Sequence, residues 1–369
     1  MNDLKRGAGT VFATLYGELS ETKPEGRHFV RSSDGIWHLQ EANLPTSDIM
    51  DAFERLNMKS LQLLFDTPEQ FWDTLEASDF NIVHAGLDPE ALCNRDDFNR
   101  AALAMKCPNT KKLLYYYSIR HHNHVAQNII SHITVSLGDA YAALALPNLH
   151  ENVPLDEQAF APGEAYRSTV SPLGFRIWAN LNFCIEKTIS FLDFSAKYVA
   201  DLSSIRPGMT SWKSKARDVT FGKWKHTRLG KETPLSEFSD ELRLLMSLRD
   251  ETVHNGTIDH FSRIYEHTSG AKVNRRFVLM PDHDKGRLLT AAGRKRFFSQ
   301  DNHLNAMLPD MLDRVLGDAL ASLNLIDERI EKRWDDMEGY FKRYPDLFSA
   351  LKIAEEENAF LKFTPSDEK

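Results

Sequence analysis

Cysteine is scarce. Cys93, Cys107 and Cys184 are the three in 369 residues, and none lies in a Cys-x-x-Cys pair. An odd, scattered set of thiols argues against a disulfide scaffold or a cysteine-based zinc site and for a reducing compartment. Long apolar runs are lacking too. No stretch approaches the roughly 18–20 residues that a membrane span needs, and the start Met-Asn-Asp-Leu-Lys-Arg has no signal-peptide core. No internal repeat or low-complexity tract appears. Positive charge is not in excess: the formal net charge is −8, so nucleic-acid binding would have to come from a local patch. These absences predict a soluble, cytoplasmic protein without a membrane partner.

What is present suits a folded chain. Hydrophobic residues make up 42% and charged residues 27%, enough to bury a sizeable core. The length predicts two or more units, or one large helical unit with additions. The patterning is mainly α. Residues 1–108 read as a mostly helical accessory region: Thr10–Glu18 is a short strand or helix, Lys23–Gly35 is turn-rich, Ser47 caps a helix through about Phe65, and Pro68 opens another through Glu76. Residues 109–340 carry long amphipathic helices over Lys111–Leu146, Leu173–Ser203 and Leu304–Trp334. Phe175, Trp178, Leu181, Ile185, Thr188, Leu192 and Tyr198 form the expected core face of the second, and Glu186, Asp193 and Lys197 its solvated insertions. Glu151–Ser171 reads as a polar connection. Phe261–Thr268 and Val273–Met280 read as a β-hairpin within a basic insertion at 258–290, and residues 341–369 as a helical tail.

Two stretches carry chemistry-bearing residues without a sharp motif. Residues 204–234 hold eight basic residues and two acidic ones, and eight minus two gives +6. Lys213, Lys215, Arg217, Lys223 and Lys225 interleave there with Trp212, Phe221 and Trp224. Cations beside rings are what a single-stranded nucleic-acid site uses: charge neutralises phosphates and a ring face stacks a base. The alternative is a solvated loop whose tryptophans fold back onto the core. The second stretch is the run Arg120-His-His-Asn-His124, with His132 further along the same helix. A metal reading needs His121, His124 or His132 to share a cation with carboxylates. The competing reading is a polar seam on a long helix.

The most informative stretch is Thr233–Gly256. It reads as one helix with Thr233 as N-cap, Pro234 in the first turn, Phe238, Leu242, Leu245, Leu248 and Thr252 inward, and Asn255-Gly256 as the stop. Its last turns hold Arg249, Asp250 and His254. An Arg and a His a few residues apart mean little alone, since Arg31/His38, Arg276/His283 and Arg296/His303 stand at similar spacing. Context sets Arg249/His254 apart: a polar residue follows the Arg, the pair closes an amphipathic helix, and long helices flank it.

That context resembles HEPN domains, a helical-bundle family found in many bacterial toxins and antiviral ribonucleases. Their motif is an Arg, usually a polar residue, then a His at this spacing on the third core helix. The resemblance covers about 111–334 and treats the basic loop and the hairpin as insertions. It implies a HEPN-like bundle, a metal-independent endoribonuclease of toxin or phage-defence type without cofactor, a composite site at a homodimer seam, and an antitoxin or regulatory partner. The residue chemistry agrees. A histidine suits proton transfer at the ribose 2′-hydroxyl and the leaving 5′-oxygen. An always-charged guanidinium suits the phosphorane oxygens. Asp250, four residues before His254, is placed to orient the ring. Five residues place Arg249 and His254 about 140° apart on a regular helix. They can therefore share a groove only if the helix end unwinds or two copies of the helix face each other. The alternatives are a noncatalytic RNA- or protein-binding module and a metal-dependent hydrolase centred on His121, His124 and His132.

Overall fold

The computed structural model describes residues 29–31, 37–39, 44–104, 108–144, 149, 163–206, 209, 213–270, 272–331 and 334. The expected Thr10–Glu18 element, the tail at 341–369 and Trp212 lie outside the described residues, as does most of the Glu151–Ser171 connection.

The chain is mainly helical. In order, its elements are β1 (Phe29–Arg31), β2 (Trp37–Leu39), α1 (Thr46–Leu64), α2 (Pro68–Glu76), α3 (Phe80–His84), α4 (Arg95–Ala104) and α5 (Pro108–Leu144). Then follow β3 (Glu164–Thr169), α6 (Pro172–Leu202), α7 (Arg228–Lys231), α8 (Asp240–Asn255), β4 (Ile264–Ser269), β5 (Lys272–Phe277), β6 (His283–Asp284), β7 (Arg287–Leu288) and α9 (Leu304–Glu328). Among the described residues, no helix is long and apolar enough to cross a membrane.

Two compact units divide the chain, and each is discontinuous in sequence. One comprises Met1–Leu56, Ser118–Ser204 and Lys213–Arg329; the other comprises Asn57–Tyr117, Ile205–Trp212 and Ile330–Lys369. The expected border near residue 108 does not coincide with this division, because α1 and α5 each supply residues to both units. In the smaller unit, Thr67 caps α2 by accepting the Gln70 N–H at 3.2 Å. Phe71 of that helix meets Phe65 edge-on at 5.4 Å and Tyr116 at 5.9 Å. The Trp334 indole closes this aromatic cluster by donating to the Phe65 carbonyl at 3.2 Å.

The larger unit is built around α6. Ser171 caps it at Gly174 N and Pro172 starts it, the arrangement that orphan N–H groups favour at a helix start. Trp178, Leu181, Ile185, Thr188, Leu192 and Tyr198 are buried along it as the periodicity predicts. Phe175 is exposed instead: it sits in the first turn, before neighbouring helices cover the stripe. Helix α8 packs against α6 and α9 through Leu242, Leu245 and Leu248, all fully buried. Burying such a side chain is worth about 1.5–3 kcal/mol, so this contact fixes the axis that carries Arg249 and His254.

Thr233–Gly256 is two elements, not one. Pro234–Glu237 forms a 3₁₀ turn, Phe238 adopts a left-handed φ of 56°, and Ser239 then caps α8 by accepting the Leu242 N–H. The stretch contains two start signals, Thr-Pro and Ser-Asp-Glu, and the fold uses both. Thr233 is buried and its hydroxyl donates back to the Leu229 carbonyl, which removes it as a cap. Phe238 leaves the helix stripe and stacks on Trp224, ring centres 5.7 Å apart. Gly256, at φ 86°, ends α8 where expected.

The hairpin β4–β5 is present, with a bulge at His267/Thr268. It has a third strand that the polar connection concealed: β3 pairs antiparallel with β4 over its whole length. Glu266, in the middle of the sheet, is held by Arg276 at 2.7 Å and Arg167 at 2.5 Å. Arg276 is buried and also donates to the Leu144 carbonyl at 3.1 Å, so it belongs to the interior and not to a basic surface. In α9, Pro309 has no N–H for the Asn305 carbonyl four residues back. The buried Tyr141 hydroxyl donates to that carbonyl in its place.

Candidate functional site

Arg249 and His254 sit on one regular helix, and the fold treats them differently. Helix α8 runs unbroken through Asn255, so its end does not unwind to bring the two side chains together. Arg249 is 29% exposed and its guanidinium lies 3.0 Å from the Asp250 carboxylate. Asp250 is exposed and pairs through that oxygen with Arg249; among the described residues it does not make the expected orienting contact to His254. His254 is exposed, and among the described residues it makes no hydrogen bond or ion pair.

The basic loop lies beside this helix, and its construction depends on two acids of α6. Asp201, 0% exposed, accepts from the Ser214 hydroxyl at 3.0 Å and from the backbone N–H groups of Lys215 and Ala216, the latter at 2.8 Å. Asp193 accepts the Gly222 N–H at 2.8 Å. Burial pushes both carboxyls above the usual carboxylate range. Working against it are the Gly222 and Trp224 N–H groups, Lys197 and Arg249 at Asp193, and the loop donors with Arg217 at Asp201. Asp201 also lies one residue from the end of α6, where a helix dipole disfavours an anion. Its donors from the loop compensate for that position. Asp193 corrects the expectation of a solvated insertion: it is buried because it anchors the loop, and Arg249 is near enough for its charge to favour the ionised carboxylate. An acid at a core-facing position followed by a Ser/Gly-containing basic loop was the only sequence signal for such an anchor.

The anchoring holds the loop by its backbone and turns its charges outward. Lys213, Lys215, Arg217 and Lys223 are exposed and Lys225 is half-buried. Trp224, expected as a stacking platform, is wholly buried against Phe238 and cannot receive a base. Among the described residues of the loop, Phe221 is the exposed ring, 62% accessible, with the Lys197 ammonium 3.9 Å from its centre. A ring with a cation against its face is a cation–π pair, and Lys197 also lies 5.0 Å from Phe194.

The histidine run meets the same anchor. His122 Nε2 is 3.7 Å from the Asp201 carboxylate, yet burial, with the charges of His121 and Lys197, holds its pKa down to about 4. His132 lies against Phe183. Among the described residues, no three His, Cys, Asp or Glu side chains are grouped to hold a metal ion.

The structure therefore brings Arg249, Asp193 and the loop together, and leaves His254 about 7.5 Å further along the helix axis, turned away. No family model matches the chain, and neither does any curated protein or solved structure.

Proposed function

We propose that the protein is a metal-independent endoribonuclease of toxin or antiviral-defence type that holds RNA on the basic loop and cleaves it at a site completed by a second copy of the chain. The observation that carries this reading is His254: an exposed imidazole with no hydrogen-bond or ion-pair partner among the described residues, on the same helix as a partly exposed Arg249. A histidine buried for structure is normally hydrogen-bonded within the protein, whereas one that exchanges protons with a substrate must be open to it. Because α8 stays helical to Asn255, Arg249 of one copy and His254 of another can face one phosphate only across a two-fold seam. In that arrangement His254 takes the proton from the 2′-hydroxyl or gives one to the leaving 5′-oxygen, and Arg249 stabilises the charge on the phosphorane. The exposed lysines of the loop neutralise flanking phosphates. An antitoxin or other regulator would keep such an activity in check.

A second reading, a noncatalytic RNA-binding module, is favoured by the Arg249–Asp250 ion pair, which occupies the guanidinium. Induced expression of wild type beside His254→Ala separates the two. The nuclease reading expects growth arrest and fragmented RNA from the wild type, and at least about a hundredfold loss of cleavage by the purified variant with chelator present. The exposed substitution should change stability by less than about 0.5 kcal/mol. Equal cleavage by both proteins removes His254 from the chemistry. RNA binding without cleavage by either leaves the binding module.

A further inference from the structure

Beyond the Arg249 and His254 surfaces, α8 ends on a cleft of about 600 Å³, lined by its Glu251 and Asn255 and by the segments 258–263 and 293–298. Neither Arg249 nor His254 lines it. Its walls carry Arg263, Arg294, Lys295 and Arg296 against Glu251 and Asp259, and four minus two gives a net charge of +2 with His260 neutral.

The two acids are already engaged. Asp259 accepts the backbone N–H groups of Phe261 and Arg263, each at 3.1 Å, which fixes the turn that follows α8. Its carboxylate also lies 3.7 Å from the Arg263 guanidinium. Glu251, buried, accepts from the Asn255 amide at 2.9 Å and lies 3.8 Å from Arg296. Arg296 is engaged as well: its guanidinium donates to the Thr257 and Ile258 carbonyls and clamps the segment after α8 to the 293–298 turn. The side chains of Arg294 and Lys295 remain exposed, with no ion pair or hydrogen bond among the described residues. Two exposed rings share the cleft, Phe298 and Phe261, the latter with the Arg263 guanidinium 4.6 Å from its centre.

We infer that this cleft binds a nucleoside phosphate, its base against Phe298 and the Phe261–Arg263 pair and its phosphate at Arg294 and Lys295. The volume lies in the range of small-molecule sites and exceeds what a lone anion needs. Unpaired cations beside exposed rings are the two elements that recognise a nucleotide, one for each of its halves. An acidic peptide would use the cations and leave the rings without work. The occupant is either a free nucleotide or one nucleotide of an RNA chain, and the inference holds whether or not the protein cleaves RNA.

Calorimetric titration of the full chain at low salt, with adenosine and uridine monophosphates, inorganic phosphate and a tetranucleotide of 2′-O-methyl RNA as probes, tests it. Mononucleotides should bind at least about tenfold more tightly than inorganic phosphate, the ring contribution expected of stacking. Phe298→Ala should abolish that advantage and Phe298→Trp should keep it. Arg294→Ala with Lys295→Ala should weaken every probe about tenfold, and since both side chains are exposed, the melting curve should not move. Tighter tetranucleotide binding assigns the cleft to an RNA chain, equal binding to free nucleotides. No saturable nucleotide binding, no advantage over phosphate, indifference to the paired substitution, or stronger displacement by polyglutamate than by nucleotide overturns the proposal.

Discussion

The loop at 213–226 and the segment at 291–298 are both basic and aromatic, and they are fastened in opposite ways. The loop is tied by its backbone: buried Asp193 and Asp201 accept its N–H groups, and Lys213, Lys215 and Lys223 stay in water. The second segment is tied by a side chain: Arg296 spends its guanidinium on backbone carbonyls and Glu251, and only its neighbours Arg294 and Lys295 stay available. A count of positive residues treats the two alike. The acceptors that the fold places beneath each decide which charges can meet a ligand.

The contrast can be broken in three places. The largest effect belongs to Asp201→Ala, which orphans several loop donors at once. Leaving buried donors unpaired costs about 1–3 kcal/mol each, so a loss of about 3 kcal/mol in urea unfolding is expected, with early proteolysis of the loop. Lys215→Ala, at an exposed position, should change stability by less than about 0.5 kcal/mol. Similar losses from both substitutions would mean that the lysine, and not the carboxylate, fastens the loop.

In the second segment the roles should reverse. Arg296→Ala removes a charged donor from two carbonyls and leaves Glu251 with one fewer partner, an expected cost of about 2 kcal/mol by the same assay. Unchanged stability would show that the 293–298 turn is held by something other than that guanidinium.

The smallest effect is one of pH, and it probes the neighbourhood of Asp201. His122, beside His121, Lys197 and Asp201, has its pKa depressed to about 4 by burial. Between pH 6.5 and 4 the unfolded chain binds a proton at this residue and the folded chain does not. Its contribution to stability is therefore complete above pH 6.5 and is lost as pH falls to 4, by about 1–2 kcal/mol once partial exposure is allowed for. The stability profile of His122→Gln measures this by difference. A His122 resonance that titrates near 6.5 in the folded protein would show that the imidazole is hydrated and the site less closed than the structure has it.

Much of the scaffold was legible from residue order. The 3.6-residue stripes of α6, α8 and α9, the Pro68 start of α2 and the Gly256 stop of α8 all express local chemistry that holds in isolation. Strand β3 was not legible, because Glu164–Thr169 has no apolar alternation and becomes a strand by pairing with β4, a partner some hundred residues away. For the candidate site, Arg249, Asp250 and His254 stood out by type and spacing, and the exposed lysines by composition. The burial of Trp224, the exposure of Phe221 and the anchoring by Asp193 and Asp201 did not.

Local sequence alone determined where the long helices run, the Gly256 stop of α8, and which residues carry charge, rings and titratable protons. Each of these follows from backbone sterics, capping and side-chain type within a few positions. Tertiary structure alone decided which of those groups are available. Asp193 reads as a surface acid until Gly222 is brought over it, and Arg296 reads as a surface cation until two carbonyls stand within reach. Availability depends on desolvation and on partners distant in sequence, and both exist only once the elements have packed.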